Sequence, residues 1–197
     1  MKVLVACEYS GTVRDAFIRA GHYAASCDIL PSESPLGDHY QCSVLDILDH
    51  GWDLMIAHPP CTYLCSSGLH WNKRKPERAQ QTEEALDFVR LLLDAPIPKI
   101  ALENPIGCIS TRIRKPTQTI QPYHFGDDAS KSTCLWLKGL PLLLPTDFVE
   151  PRIVNGKRRW ANQTDSGQNR LPPSPDRWKI RSETYVGIAE AMAKQWG

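Results

Sequence analysis

The sequence predicts an α/β fold with a mostly parallel central sheet and helices on both faces. Short apolar segments that read as buried strands alternate with an amphipathic helical pattern from Val13 to Ala20 and a longer one from Glu77 to Leu93. This alternation is typical of parallel sheets, because a crossover helix carries the chain back between parallel strands. The length of 197 residues suits one domain, so we expect a single domain over residues 1–197.

The first predicted strand, helix and second strand form a βαβ unit with an acidic residue at its tip. Lys2 to Cys7 is rich in β-branched and apolar residues, and Tyr23 to Cys27 is the next short strand. Asp28 follows Gly11 by 17 residues (28 minus 11), close to the roughly 20 at which such an acid binds ribose hydroxyls. A single glycine in this turn argues against a tightly held pyrophosphate. The unit predicts a nucleoside cofactor, and the alternative is an ordinary βαβ unit with a solvated Asp28.

A second acidic residue is predicted at the end of a third short strand. The polar stretch from Ser32 to Tyr40 directly follows Pro31, contains Pro35 and reads as a loop. Val44 to Leu48 is mainly apolar and carries Asp46, so it reads as the third strand. We therefore expect Asp46, like Asp28, to lie at a strand end.

A thiol follows the next strand directly. Leu54 to Ala57 is an apolar run that ends at Pro59 and Pro60, because proline fixes φ and donates no backbone hydrogen bond. Cys61 thus lies just beyond the carboxyl end of a central strand, which is where ligands bind in open α/β sheets. A thiol in that position is a candidate nucleophile, and the alternative is a small buried hydrophobic residue.

A carboxylate follows the next strand in the same way. Lys99 to Leu102 is an apolar run that ends on Glu103-Asn104-Pro105. Parallel strands end at the same edge of a sheet, so Cys61 and Glu103 are predicted to face one crevice. A thiol and a carboxylate in one crevice are what covalent catalysis with proton transfer needs.

The rest of the chain adds two basic segments and two further elements. Thr133 to Leu137 reads as a strand, Thr184 to Trp196 as a helix, and Thr117 to Asp128 as a loop. Lys73-Arg74-Lys75 stands near Trp71 in an irregular stretch, and Lys157-Arg158-Arg159 lies in the polar region from 147 to 179. The net charge is only +1, so nucleic-acid contact must come from local patches such as these. The alternative for each is a solvated run of charges.

Four metal-ligand residue types cluster near the central strand. His58, Cys61, Cys65 and His70 fall within thirteen residues. A structural zinc site prefers two pairs separated by a longer loop, so we expect no metal here. The seven cysteines are odd in number and irregularly spaced, which argues against a disulfide framework. No signal-peptide core and no membrane-spanning run is apparent, so a cytoplasmic protein without membrane contact is expected.

In their order along the chain, these motifs resemble the DNA cytosine-5 methyltransferase family. Pro59-Pro60-Cys61 resembles the family's Pro-Pro-Cys nucleophile motif, and Glu103-Asn104-Pro105, about forty residues later, resembles its Glu-Asn-Val motif. Asp28 and Asp46 match the acids that hold the ribose and the adenine amino group of S-adenosylmethionine. Gly11 to His22 follows the first motif and its helix. The resemblance implies a Rossmann-like, S-adenosylmethionine-dependent methyltransferase fold.

The sequence departs from the family pattern in three places. The first motif, Asp-x-Phe-x-Gly-x-Gly-Gly, is replaced at its defined positions by Val5, Cys7, Tyr9, Gly11 and Thr12. Lys131 and Thr133 stand where the family has the arginines of its Gly-x-Pro-Gln-x-Arg-x-Arg motif. The target-recognition domain is reduced to a short insert at about 147–179, as in the short forms carried by phages and mobile elements. These forms imply host cytoplasm as the location and a possible helper protein for target recognition.

The resemblance implies methyl transfer to C5 of cytosine in duplex DNA, with the target base flipped out and a covalent cysteine adduct. The implied catalytic residues are Cys61, Glu103 and Lys131. The implied cofactor-binding residues are Glu8, Tyr9, Gly11, Asp28, Asp46, Pro59, Ser182 and Thr184. The implied nucleic-acid contacts are Lys73, Arg74, Lys75, Arg158 and Arg159. Two alternatives stay open: a methyltransferase acting on RNA or cytosine nucleotides, and a catalytically decayed protein that binds the cofactor or DNA.

Overall fold

A seven-stranded sheet runs through the centre of the computed structural model, which describes residues 1–197. The strands are β1 (Lys2–Ala6), β2 (Tyr23–Asp28), β3 (Asp38–Gln41), β4 (Leu54–Ala57), β5 (Lys99–Pro105), β6 (Gln118–Ile120) and β7 (Thr133–Lys138). Their order across the sheet is β3-β2-β1-β4-β5-β7-β6. All pairs from β3 to β5 are parallel, and only β7 runs against its neighbours. The predicted mostly parallel α/β fold is confirmed.

Helices cover both faces of this sheet. They are α1 (Thr12–Arg19), α2 (Ser66–Leu69), α3 (Pro76–Leu93), α4 (Ile109–Arg112), α5 (Arg177–Ser182) and α6 (Val186–Trp196). Side chains of β1 alternate between the two faces, because successive residues of a strand point in opposite directions. Leu4 packs in the core on the α3 side, while Val3 and Val5 pack with α1 and α6. Burial on both faces explains why the central strands read as continuous apolar runs.

The third strand differs from its prediction. Val44 to Leu48 does not form a strand, since residues Val44–Asp46 form a 3-10 turn in which Leu45 N donates to the Ser43 side chain. The third strand is instead β3. Its first three residues lie at the end of the predicted loop from Ser32 to Tyr40, and Gln41 follows that loop. β3 pairs with β2 alone and lies at the sheet edge, so it needs no apolar run and its sequence, DHYQ, is polar.

The polar insert after β7 is folded as well. It contains a hairpin of β8 (Arg152–Val154) and β9 (Lys157–Arg159), joined by Asn155-Gly156. Both turn residues have positive φ, 50° and 72°, as a tight type I′ hairpin turn requires. The Asn-Gly pair is the sequence signal for this hairpin. Short elements likewise occupy two other stretches predicted as irregular, namely α2 with the 3-10 turn His70–Lys73, and β6 with the 3-10 turn Pro122–His124. None of the helices has the length and apolar character needed to cross a bilayer.

Candidate active site

The carboxyl ends of β4 and β5 meet at one edge of the sheet, as predicted. The two strands are in parallel register, with Ala57 beside Leu102, so that Glu103 comes next on β5. The Asn104 side chain donates a 2.8 Å hydrogen bond to the carbonyl oxygen of Pro59. This buried bond connects the strand end carrying Glu103 directly to the proline pair that precedes Cys61.

The loops beyond these two strand ends are also joined. Ser66 N donates to Ile106 O at 3.1 Å, and Cys108 N donates to Leu64 O at 2.8 Å. Gly107 lies between them, where a Cβ would collide with the Leu64 carbonyl oxygen, so only glycine permits this approach. The loop that carries Cys61 is therefore held by backbone hydrogen bonds to the loop after β5.

The Cys61 thiol is half-buried, and its surroundings disfavour the thiolate. Burial, the neighbouring Cys65 and the Glu103 carboxylate all raise the pKa of Cys61, while the charge of Lys131 lowers it. The free protein thus holds Cys61 mainly as the neutral thiol at neutral pH. Attack by sulfur then requires that the thiol proton be removed as the substrate binds.

Glu103 shows the opposite balance. Burial would raise the pKa of Glu103, but the hydrogen bond from His58 and the charge of Lys131 outweigh it, so the pKa lies below its ordinary value. Lys131 comes just before β7, which begins where β5 ends, with Thr133 opposite Pro105. The charge of Lys131 acts on both Cys61 and Glu103. The structure therefore brings the three predicted catalytic residues together.

His58 is a site residue that the sequence analysis considered only as a metal ligand. Its Nδ1 lies 3.2 Å from Glu103 Oε2, and its side chain is 8% exposed. The signal was available in the register, since residue 58 follows Ala57 and must stand beside Glu103. No group of three or more potential metal ligands forms anywhere in the protein, so His58, Cys61, Cys65 and His70 are not gathered into one.

Glu8 and Gly11 shape the turn between β1 and α1. Gly11 has φ of 80°, in the left-handed region where side chains are disfavoured. The buried Glu8 carboxylate accepts hydrogen bonds from Val13 N at 2.7 Å and Arg14 N at 3.2 Å. It thus pairs with free N–H groups in the first turn of α1, and burial raises its pKa. Because the Glu8 side chain already caps the helix, only the main chain of Glu8 is available to contact a cofactor.

The two predicted cofactor acids lie at different kinds of position. Asp28 is at the end of β2, where Oδ1 accepts a 2.9 Å hydrogen bond from Leu30 N and Oδ2 has no partner. Asp46 is exposed and belongs to the 3-10 turn after β3 rather than to a strand end. Both follow the carboxyl ends of adjacent parallel strands, so both remain on the edge that carries Cys61 and Glu103.

The segment α5 lies against the same turn. The Tyr9 hydroxyl is 3.0 Å from Ser182 Oγ and 3.2 Å from Lys179 O, and the Trp178 ring packs 6.3 Å from the Tyr9 ring. The structure thus joins two predicted cofactor residues, Tyr9 and Ser182. Thr184 lies between α5 and α6, and Pro59 is buried beneath the Asn104 amide.

The residues present fit the nucleoside end of S-adenosylmethionine. Asp28 Oδ2 is a partner-free acceptor for ribose hydroxyls. The space beside Gly11 is filled by the Arg14 guanidinium and the Ser34 side chain, and the Tyr9 ring is buried against Trp178. A free carboxylate oxygen at a strand end, without an open glycine-rich turn, suits a nucleoside better than a pyrophosphate.

The basic segment before α3 is exposed. Arg74 and Lys75 each lie 5.8 Å from the ring centre of Trp71, which is 43% exposed. Lys73 is also exposed. An aromatic ring combined with three cations is typical of surfaces that bind nucleic-acid strands.

Arg158 and Arg159, predicted to act alike, have different surroundings. Arg159 Nε donates to Asp165 O at 3.1 Å, and Arg152 forms an ion pair with the Asp165 carboxylate at 2.5 Å. Arg159 therefore stabilises the turn after the hairpin. The Arg158 side chain is exposed and makes no hydrogen bond. Only Arg158 of the pair is free to meet a phosphate.

Known structures resemble this chain at the level of the fold. A candidate DNA modification methyltransferase encoded within a prophage of E. coli is 15% identical over 76% of this chain and 52% of its own, with a TM-score of 0.48. A triple mutant of Spodoptera frugiperda DNMT2 is 17% identical over 80% of this chain and 57% of its own, with a TM-score of 0.41. The chain spans little more than half the length of either protein. No family model and no curated protein matches the sequence.

Proposed function

We propose that the protein transfers a methyl group from S-adenosylmethionine to C5 of cytosine in DNA through a covalent Cys61 adduct. The observation that carries this proposal is the arrangement at the β4–β5 edge. A thiol and a carboxylate follow adjacent parallel strands, Asn104 connects the two strand ends, and the charge of Lys131 acts on both groups.

In this mechanism the Cys61 thiolate adds to C6 of cytosine. Glu103 takes up the proton that leaves the Cys61 thiol and passes it to ring nitrogen N3, so that C5 becomes nucleophilic. C5 then takes the methyl group that S-adenosylmethionine supplies. Loss of the C5 proton and elimination of the thiol release the product and restore free Cys61.

Lys131 has an electrostatic part in this scheme. It opposes the burial that keeps the Cys61 thiol protonated, and it keeps the Glu103 carboxylate ionised before the base arrives. Asp28 and Asp46 bind the nucleoside, and Tyr9 and Ser182 lie beside the turn between β1 and α1. In duplex DNA the target base must leave the stack to reach the edge, which costs a few kcal/mol.

Trapping with DNA that contains 5-fluorocytosine tests the proposal. Fluorine at C5 cannot leave as a proton does, so the enzyme should remain covalently joined to DNA through Cys61 when S-adenosylmethionine is present. Denaturing electrophoresis and peptide mass spectrometry identify the adduct. Absence of any adduct on the wild-type protein, with cofactor binding verified, would refute the covalent mechanism.

RNA or a free cytosine nucleotide is the second candidate substrate. The observation that favours it is the small size of the insert, whose hairpin has strands of only three residues each. Competition among duplex DNA, single-stranded DNA, RNA and dCMP in a methyl-transfer assay separates these substrates.

A further inference from the structure

His58 connects the two buried carboxylates of the site. Its ring contacts Glu103 Oε2 through Nδ1, and the Glu8 carboxylate, which caps α1, lies within electrostatic range of the ring. Its backbone amide donates to Ala6 O at 2.9 Å, so the residue continues the strand pairing beyond β4. The imidazole is thus fixed by the sheet, and its place is not set by a flexible loop.

The hydrogen bond determines which ring nitrogen carries a proton. An ionised carboxylate only accepts hydrogen bonds, so Nδ1 of His58 must be the donor to Glu103. The other ring nitrogen, Nε2, is buried and has no partner. The Glu103 contact is therefore the only side-chain hydrogen bond that holds this ring.

We propose that His58 is a positioning residue for the transfer reaction: its Nδ1–H holds Glu103 Oε2 and so leaves Oε1 directed to the cytosine ring. The inference rests on the proposed function, because it assigns Glu103 the contact with N3. A carboxylate held through one oxygen loses rotational freedom before the base binds, which lowers the barrier without any new contact to the substrate.

The decisive comparison is between His58→Asn and His58→Leu. Asn carries its amide nitrogen on the same Cγ as Nδ1 of histidine, so it can still donate to Glu103, whereas Leu fills similar space without a donor. We expect His58→Leu to lower kcat by up to about 100-fold, because a small misplacement of a reacting group can cost that much, with cofactor affinity nearly unchanged. His58→Asn should stay within about fivefold of wild type. His50→Leu, at an exposed histidine, is the matched control.

Three results would overturn the inference. They are full activity of His58→Leu, equal losses in the Leu and Asn variants that both retain wild-type melting temperatures, or an imidazole ring protonated only at Nε2. Ring ¹⁵N NMR of His58 in wild type and Glu103→Gln gives the last result without any activity. Failure of the wild-type protein to form the 5-fluorocytosine adduct would instead refute the proposed function, and the NMR comparison would still test His58.

Discussion

The β4–β5 edge and the insert from 147 to 179 are built in opposite ways. At the edge, Cys61 follows β4 and Glu103 lies in the last residues of β5, two strands that are largely buried, and Asn104 joins their ends from inside. In the insert, no residue of β8 or β9 is buried, and Ile153 is 65% exposed.

The insert is nevertheless attached at a defined place. The Trp160 ring stacks on Tyr123 at 4.1 Å, and Asn162 exchanges two 3.0 Å hydrogen bonds with the backbone of Ser130, next to Lys131. The comparison teaches that the proposed reacting groups belong to the buried sheet, whereas the proposed nucleic-acid surface is an exposed hairpin fastened beside it. Substitutions at the edge should abolish chemistry, and substitutions in the insert should change DNA binding or the stability of the hairpin and leave the chemistry intact.

The largest expected effect is at the nucleophile. Cys61→Ser should abolish methyl transfer, leaving less than a few per cent of activity, because a hydroxyl is far less acidic and less nucleophilic than a thiol. Folding and cofactor binding should be unchanged. Cys65→Ser, in the same loop, is the control and should remain active. Substantial activity in Cys61→Ser, measured by radiolabelled methyl transfer, would make Cys61 a structural residue.

Next in size is the cofactor acid. Asp28→Ala should weaken S-adenosylmethionine binding by roughly 1–3 kcal/mol, since charge-assisted hydrogen bonds to ribose hydroxyls would be lost. Calorimetry measures the change. Asp38→Ala is the control, because it removes a carboxylate at the start of β3, away from the carboxyl edge of the sheet. An unchanged dissociation constant for Asp28→Ala would leave Asp28 as a solvated surface acid.

A smaller effect is expected from Lys131. Its positive charge lowers the pKa of the Cys61 thiol, so Lys131→Met should raise that pKa and reduce the thiolate fraction at any pH below it. The rate of Cys61 alkylation by iodoacetamide, followed by mass spectrometry, should fall at pH 8, and its pH profile should move to higher pH. Lys194→Met on α6 serves as the control. A profile that moves to lower pH, or not at all, contradicts the electrostatic assignment.

The smallest effect separates the two arginines of the hairpin. Arg158→Ala should weaken DNA binding similarly on all sequences. It should also reduce the slope of the logarithm of the binding constant against the logarithm of salt concentration (the salt slope) by about 1, as expected for one lost phosphate contact. Arg159→Ala should leave the slope unchanged and lower the unfolding temperature, because Arg159 holds the Asp165 turn. Binding titrations at several salt concentrations give both slopes.

The same titrations bear on specificity, since contacts to phosphates position a protein without specifying a sequence. We expect a short or relaxed target, which bisulfite sequencing of treated DNA would reveal. A target of five or more base pairs, methylated without a partner protein, would mean that the insert reads bases.

The sequence by itself determined the class of fold and the main features of the edge. Apolar runs stopped by proline placed Cys61 and Glu103 at strand ends, and parallel pairing then brought both to one edge. Such local signals suffice because a buried strand must be apolar throughout, and because proline cannot continue it. The single-domain division and the roles of the site residues stay predictions.

Only the tertiary structure decided the details that depend on distant partners. The polar strand β3 was missed because an edge strand needs no apolar run. The turn that carries Asp46 was predicted as a strand because the short apolar segment from Val44 to Leu48 is compatible with either a strand or a helical turn. The capping by Glu8, the Asn104–Pro59 bond, the His58–Glu103 contact and the separate roles of Arg158 and Arg159 also required the fold. Each depends on which groups meet across the chain, and a side chain's type does not specify its partner.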